Sequence, residues 1–237
     1  MSPKKIQLTW LGHSTFKVVS PEGTVILIDP WVMGNPSCPE PLRHFDRLDI
    51  MLLTHGHFDH IGDAVELGKK HSPEVVGIYE LGHWLEGKGV SNTRPMNKGG
   101  SQQVKDLRVT MVHADHSCGI LDGGKIIYGG EAVGYIIEFS NGYRIYHAGD
   151  TNLFGDMKLI GELYSPRLAM LPIGDLFTMS PREAARACAF IGAKKIVPMH
   201  FGTFPALTGT PQQLKKLTRH LSEVEIFDLK PGDSLEV

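Results

Sequence analysis

Three imidazoles and a carboxylate fall within six consecutive positions, His55, His57, Asp59 and His60, directly after the apolar run Ile50-Met51-Leu52-Leu53. Neutral imidazole nitrogens and carboxylate oxygens are donors that hold a divalent metal at neutral pH. The plainer alternative is a polar turn whose histidines cap a helix and face water. Placement at the end of an apolar strand favours the metal. Side chains alternate along an extended backbone, so His55 and His57 point to one side, and Gly56 between them permits a tight bend. Asp59 and His60 then open a stretch whose apolar residues Ile61, Ala64, Val65 and Leu67 suit a helix. As neighbours at a helix start they project differently from the first pair and can serve a second metal beside the first.

Donors of this kind need a rigid scaffold. Segments at 6–11, 15–20, 24–28, 49–53, 74–79, 102–104, 109–112, 132–139, 143–146, 168–173, 196–199 and 225–229 read as strands, with a short one near Leu235. Helices are predicted at 61–70, 80–86, 181–191 and 211–221. Two of them begin with a capping box and proline at the first helical position, Ser180-Pro181-Arg182-Glu183 and Thr210-Pro211-Gln212-Gln213. Asn141-Gly142 predicts a hairpin turn. Strand after strand ends in a ligand-capable residue beside a glycine or small residue: His13, His55 and His57, His116, Asp150, Asp175, His200. Polar residues therefore gather at one rim, where loops carry function. Many strands with helices in few connections predict an α/β (α+β) chain, two sheets face to face with helices outside, a four-layer αββα sandwich. The 237 residues fit one domain spanning 1–237.

Composition narrows the function classes. A formal net charge of -2 with no acidic or basic tail gives no bulk attraction to nucleic acid. Cys38, Cys118 and Cys188 are an odd number without close pairing, which predicts packing residues and a reducing cytoplasm instead of a disulfide framework. The N-terminal residues lead straight into a strand without an apolar signal region, and no run approaches the roughly 20 apolar residues of a membrane span. A soluble, cytoplasmic protein is expected.

Together with Trp10-Leu11-Gly12-His13-Ser14, His147-Ala148-Gly149-Asp150-Thr151 and Pro198-Met199-His200-Phe201-Gly202-Thr203-Phe204-Pro205, the His-x-His-x-Asp-His signature resembles the metallo-β-lactamase superfamily. Within it, the chain is similar to a bacterial and archaeal family of uncharacterised metal-dependent hydrolases, near ascorbate-phosphate lactonases and N-acyl-phosphatidylethanolamine phospholipases. The likeness runs from about Ile6 to the C-terminus and is uninformative about substrate.

The resemblance implies that His55, His57 and His116 hold one metal, Asp59, His60 and His200 another, and that Asp150 bridges them. Zinc suits these donors first; manganese and iron share them. Two ions about 3.5 to 4 Å apart can share a hydroxide, with Asp59 helping to hold it, and the reaction implied is hydrolysis of a lactone or phosphoester. Two dications, Asp59, Asp150 and hydroxide leave a formal +1, which favours a small, anionic substrate and a developing oxyanion. His13 is a candidate for bonding substrate or oxyanion, or for tying a turn. The relatives carry proline where this chain has His113, which makes His113 a second candidate beside His116. Asp29 is a candidate to orient a ligand histidine or to end a strand in a turn. His147 is expected behind the ligands, Asp175 and Thr178 along the pocket, and His44, His71, His83 and His220 on the surface. Alternatives are a metal-dependent RNA or nucleotide phosphodiesterase and a non-hydrolytic metal-binding or redox protein. The first lacks an inserted nucleic-acid domain. Diiron members of the superfamily carry a flavin domain and a glutamate where this chain has His57. A homo-oligomer is compatible with the sequence.

Overall fold

The computed structural model describes residues 5–237; the reading of residues 1–4 as a non-signal start lies outside them. In chain order the elements are β1 (Gln7–Trp10), β2 (Phe16–Val19), β3 (Val25–Ile28), β4 (Ile50–Leu52), α1 (Phe58–Ile61), α2 (Ala64–His71), β5 (Glu74–Ile78), α3 (Tyr79–Gly87), β6 (Thr93–Met96), β7 (Ser101–Val104) and β8 (Leu107–His113). There follow β9 (Gly119–Asp122), β10 (Lys125–Tyr128), β11 (Val133–Glu138), β12 (Arg144–His147), α4 (Met157–Tyr164), β13 (Leu168–Pro172), α5 (Pro181–Ile191), β14 (Lys195–Met199), α6 (Pro211–Leu217), β15 (Glu225–Ile226) and β16 (Ser234–Glu236). Two seven-stranded sheets have the orders β16-β1-β2-β3-β4-β5-β6 and β15-β14-β13-β12-β11-β8-β7, and β9 and β10 form a separate hairpin.

Period-two alternation assembles the layers. Along β11, Tyr135 and Ile137 join the core shared with the first sheet, while Ile136 faces the helices. Leu168 and Met170 of β13 follow the first face, Ala169 and Leu171 the second. One side of the second sheet thus packs on Leu8, Phe16, Ile28 and Leu52, the other on Ile160, Ala184, Cys188 and Leu214 from α4, α5 and α6. Leu67 and Leu81 bring α2 and α3 onto the first sheet. The result is the αββα sandwich of the metallo-β-lactamase fold.

Both capping boxes form, Ser180 with Glu183 and Thr210 with Gln213. The final helix stops at Leu217, and the strand predicted at 225–229 is limited to Glu225–Ile226. The helix predicted at 61–70 is broken at Gly62-Asp63. There the Asp63 carboxylate accepts from the amides of Val32 (2.6 Å) and Met33 (3.0 Å), so it fastens the loop after β3 instead of continuing a helix. β6 carries Pro95 and went unpredicted; it lies at a sheet edge, where a missing N–H is tolerated. The glycine-rich stretch after His116 is the β9–β10 hairpin. No helix among the described residues is long and apolar enough to cross a membrane.

Candidate metal centre

The donors arrive from separate strand ends. His55 and His57 follow β4, Asp59 and His60 lie on α1, His116 follows β8, Asp150 follows β12 and His200 follows β14. Their ring nitrogens and carboxylate oxygens fall into overlapping groups within 4.8 Å: His55, His57 and His116; His55, His60 and Asp150; and Asp59, His60 and His200 with His13. Asp150 is the hub. Its Oδ2 lies 2.9 Å from His200 Nε2, 3.2 Å from His60 Nε2, and 3.9 Å from Nε2 of both His55 and His116.

Close backbone approach makes this convergence feasible. A Cβ on Gly56 would meet the Ile120 side chain at 2.5 Å, so only glycine lets the His55–His57 bend lie against β9. The Gly56 amide also donates to Cys118 Sγ (3.3 Å), and that thiol donates to the Gly129 carbonyl (3.1 Å). Cys118 therefore packs and ties the hairpin base to the bend, and burial raises its thiol to about 11.

Asp29, fully buried, decides the ring orientations. Its Oδ1 accepts from the Thr54 amide (2.8 Å), and its Oδ2 accepts from the Thr54 hydroxyl (2.7 Å) and from His60 Nδ1 (2.8 Å). A hydroxyl has one proton. With that proton on Asp29, Thr54 Oγ1 accepts from His55 Nδ1 at 3.0 Å. One carboxylate thus leaves Nε2 of both His55 and His60 with its lone pair facing inward. Of the two expectations for Asp29, these contacts favour orienting a histidine ring over ending a strand in a turn.

The inward atoms fit a cation. His60 Nε2 is buried without a hydrogen-bond partner, and a lone pair facing the Asp150 carboxylate at 3.2 Å needs positive charge between the two. Electrostatics follow suit. Burial lowers His60, yet Asp150, Asp29 and Asp59 outweigh it and raise the ring well above the usual imidazole range, so the surrounding carboxylates favour a positive charge at Nε2, whether a proton or a metal ion. Burial and the neighbouring His60 ring put His55 well below that range. Burial alone would raise Asp150, but His200 and His60 hold it well below the carboxylate range, and His60 and His13 do the same for Asp59.

His13 is fully buried, with both ring nitrogens engaged: Nε2 donates to Asp59 Oδ2 (3.0 Å), and Nδ1 accepts from the Thr203 hydroxyl (3.0 Å). Burial lowers it to about 4 despite Asp59. Trp31, itself buried, packs edge-on against this ring, so the loop after β3 backs His13 without lining the cavity. His147 accepts from the Gly149 amide (3.1 Å) and contacts the Ser14 carbonyl (3.2 Å) behind Asp150. His113 is exposed beside Lys98 and Phe154, away from the cluster. His44, His83 and His220 are exposed, whereas His71 is half-buried.

His57, Asp59, His116, Asp150 and His200 line a cavity of about 770 Å³. Asp175, whose carboxylate accepts from the Leu176 amide (2.8 Å) within a turn, is absent from its lining, and so is Thr178. Phe177 of the same loop lines the cavity instead, joined by Phe58, Leu121, Ile126 and Phe204. These apolar walls were missed; only the run Leu176-Phe177 in a predicted loop hinted at them.

Two stacked sheets with a His/Asp cluster at the strand ends define a metallo-β-lactamase-type centre. The description Beta-lactamase superfamily domain matches residues 24–201. A UPF0173 metal-dependent hydrolase of Koribacter versatilis is 58% identical over 234 residues, covering 99% of each chain. One from Methanopyrus kandleri is 46% identical, covering 98% of this chain and 100% of its own. The solved structure of Igni18, a metallo hydrolase from Ignicoccus hospitalis, superposes with TM-score 0.87 at 33% identity and covers 98% of both chains. The chain belongs to the UPF0173 metal-dependent hydrolases of the beta-lactamase superfamily.

Proposed function

We propose that this chain hydrolyses an ester-type bond, lactone or phosphoester, in a small molecule, using two divalent ions. His55, His57 and His116 would hold one ion and Asp59, His60 and His200 the other, with Asp150 between them. The observation that carries the reading is Asp150 Oδ2, within 3.9 Å of ring nitrogens from four histidines on three chain segments, 55–60, 116 and 200. Zinc suits the donors first, and manganese or iron share them. When bound, the ions supply Lewis acidity and a water ionised near neutral pH.

The chain's own contribution is preparation. Asp29 holds two ring tautomers ready, directly at His60 and through Thr54 at His55. Asp59 is the catalytic carboxylate, accepting a hydrogen bond from the attacking water. His13 holds Asp59 in place and is a positioning residue. The described lining of the cavity contains no Lys or Arg, which speaks against RNA and nucleotides as substrates, since phosphate contacts draw on such cations.

Metal analysis, chelation and restoration with zinc, manganese or iron, followed by assay on lactones, phosphodiesters and phosphomonoesters, tests the reading. Turnover is expected only after restoration. A purified protein that binds no divalent ion ends the proposal.

A further inference from the structure

We infer that the substrate presents an uncharged apolar chain or ring to the metal centre, as in an apolar carboxylic ester or lactone, in preference to a phosphorylated compound; this rests on the hydrolase reading above. The cavity has two chemistries. One end is the donor cluster, and the walls are Phe58, Leu121, Ile126, Phe177 and Phe204. Four of these side chains stand well into solvent: Phe58 is 58% exposed, Leu121 62%, Ile126 80% and Phe177 59%. They come from α1, the β9–β10 hairpin and the loop after β13, so three separate segments expose apolar surface towards the same donors.

Among the described residues Ser117 is the one polar wall residue outside the donor set, and its hydroxyl lies 3.3 Å from His57 Nε2. A phosphorylated substrate keeps one or two charged oxygens clear of the reacting bond, and nothing on these walls would pair with them. An acyl chain needs no such partner, and its charge develops only at the carbonyl oxygen, beside the donors. A cavity of about 770 Å³ admits a medium-sized organic molecule. In the reaction the water oxygen bonds to the acyl carbon, the acyl C–O bond breaks and the water proton ends on the leaving alkoxide. The products are a carboxylic acid and an alcohol, or one hydroxy acid from a lactone.

The test uses the metal-restored full chain and a series of acyl esters of one alcohol, acetyl to decanoyl, alongside calorimetric binding of decanoate, acetate and inorganic phosphate. Expected is a rise in kcat/KM of about three- to fourfold per methylene until the walls are covered, with decanoate binding more tightly than acetate. Leu121→Gln and Ile126→Gln, both on exposed positions, should flatten that rise through KM while leaving metal content unchanged. A flat series with decanoate no tighter than acetate overturns the inference. Turnover of phosphodiesters alone overturns it while leaving the hydrolase reading intact. Tight decanoate binding without turnover of any ester or phosphoester supports the apolar site and sinks the hydrolase reading. If the two variants instead convert a sedimenting dimer to monomer and keep the length dependence, the walls are a contact between copies and the inference fails.

Discussion

The strands β12, β13 and β14 run parallel, and their two ends carry opposite chemistry. Beyond their C-terminal ends lie Asp150 and His200, with no Lys or Arg among the residues described around the cavity. At their N-terminal ends a cavity of about 870 Å³ is lined by Lys158, Arg167, Arg186, Lys194 and Lys195, with Glu162 the one acid among the described residues. The larger cavity has the cations, and the smaller has the donors. Chain direction accounts for the division. Strand starts follow the C-termini of α4 and α5, where free carbonyls favour cations, while strand C-termini open into the loops that carry ligands in α/β layers. A net charge of -2 conceals this separation entirely.

His57→Ala is the largest expected break in the comparison. It removes a donor 3.0 Å from His55 Nε2 and should lower both metal content and kcat/KM by more than the roughly 10–100-fold that losing an outer partner costs. Full activity with undiminished metal would show that the C-terminal end does not work as a metal centre.

Asp29→Asn sharpens the same end at smaller cost. The amide keeps the volume of the carboxylate but sets an N–H or a weaker acceptor against His60 Nδ1 and the Thr54 hydroxyl, groups that now donate to it. Metal affinity should fall about 10–100-fold, measured by competition with a chromophoric chelator. Nitrogen shifts of the imidazoles should report altered tautomers at His60 and His55. Unchanged affinity would mean that the rings are oriented by packing alone.

Legibility in the sequence followed the same division. The central strands β11, β13 and β14 of the second sheet were readable because their apolar residues are buried on both faces, and the capping boxes marked α5 and α6 by local chemistry. The donors His55, His57, Asp59, His60, His116, Asp150 and His200 were readable as residue types at strand ends, and the fold brings them together. Asp29 stayed ambiguous because what distinguishes it from a turn aspartate is its distance to Thr54 and His60, 25 and 31 residues away. Helix α4 went unread although Met157, Ile160 and Tyr164 share a face at helical spacing. The apolar walls were hidden for a different reason. Leu121, Ile126 and Phe177 look like core residues in a sequence, and only the fold shows that they are left exposed around the donors.

The smallest expected effect lies at the cationic end. Arg167 places its guanidinium 5.6 Å from the centre of the Tyr143 ring, and Lys194 lies 3.3 Å from Glu223. Both follow helix C-termini, so their work is local: exposed cation–π contacts and surface pairs are worth up to about 1 kcal/mol. Arg167→Gln and Lys194→Gln should each lower Tm by about 1–3 °C in a chain of this size and leave kcat/KM of the metal-restored enzyme within about twofold. A loss of turnover at unchanged metal content would break the comparison, because it would make the far end of the strands part of the reaction. Loss of stability alone would confine those cations to closing helix ends, with catalysis left to the opposite rim.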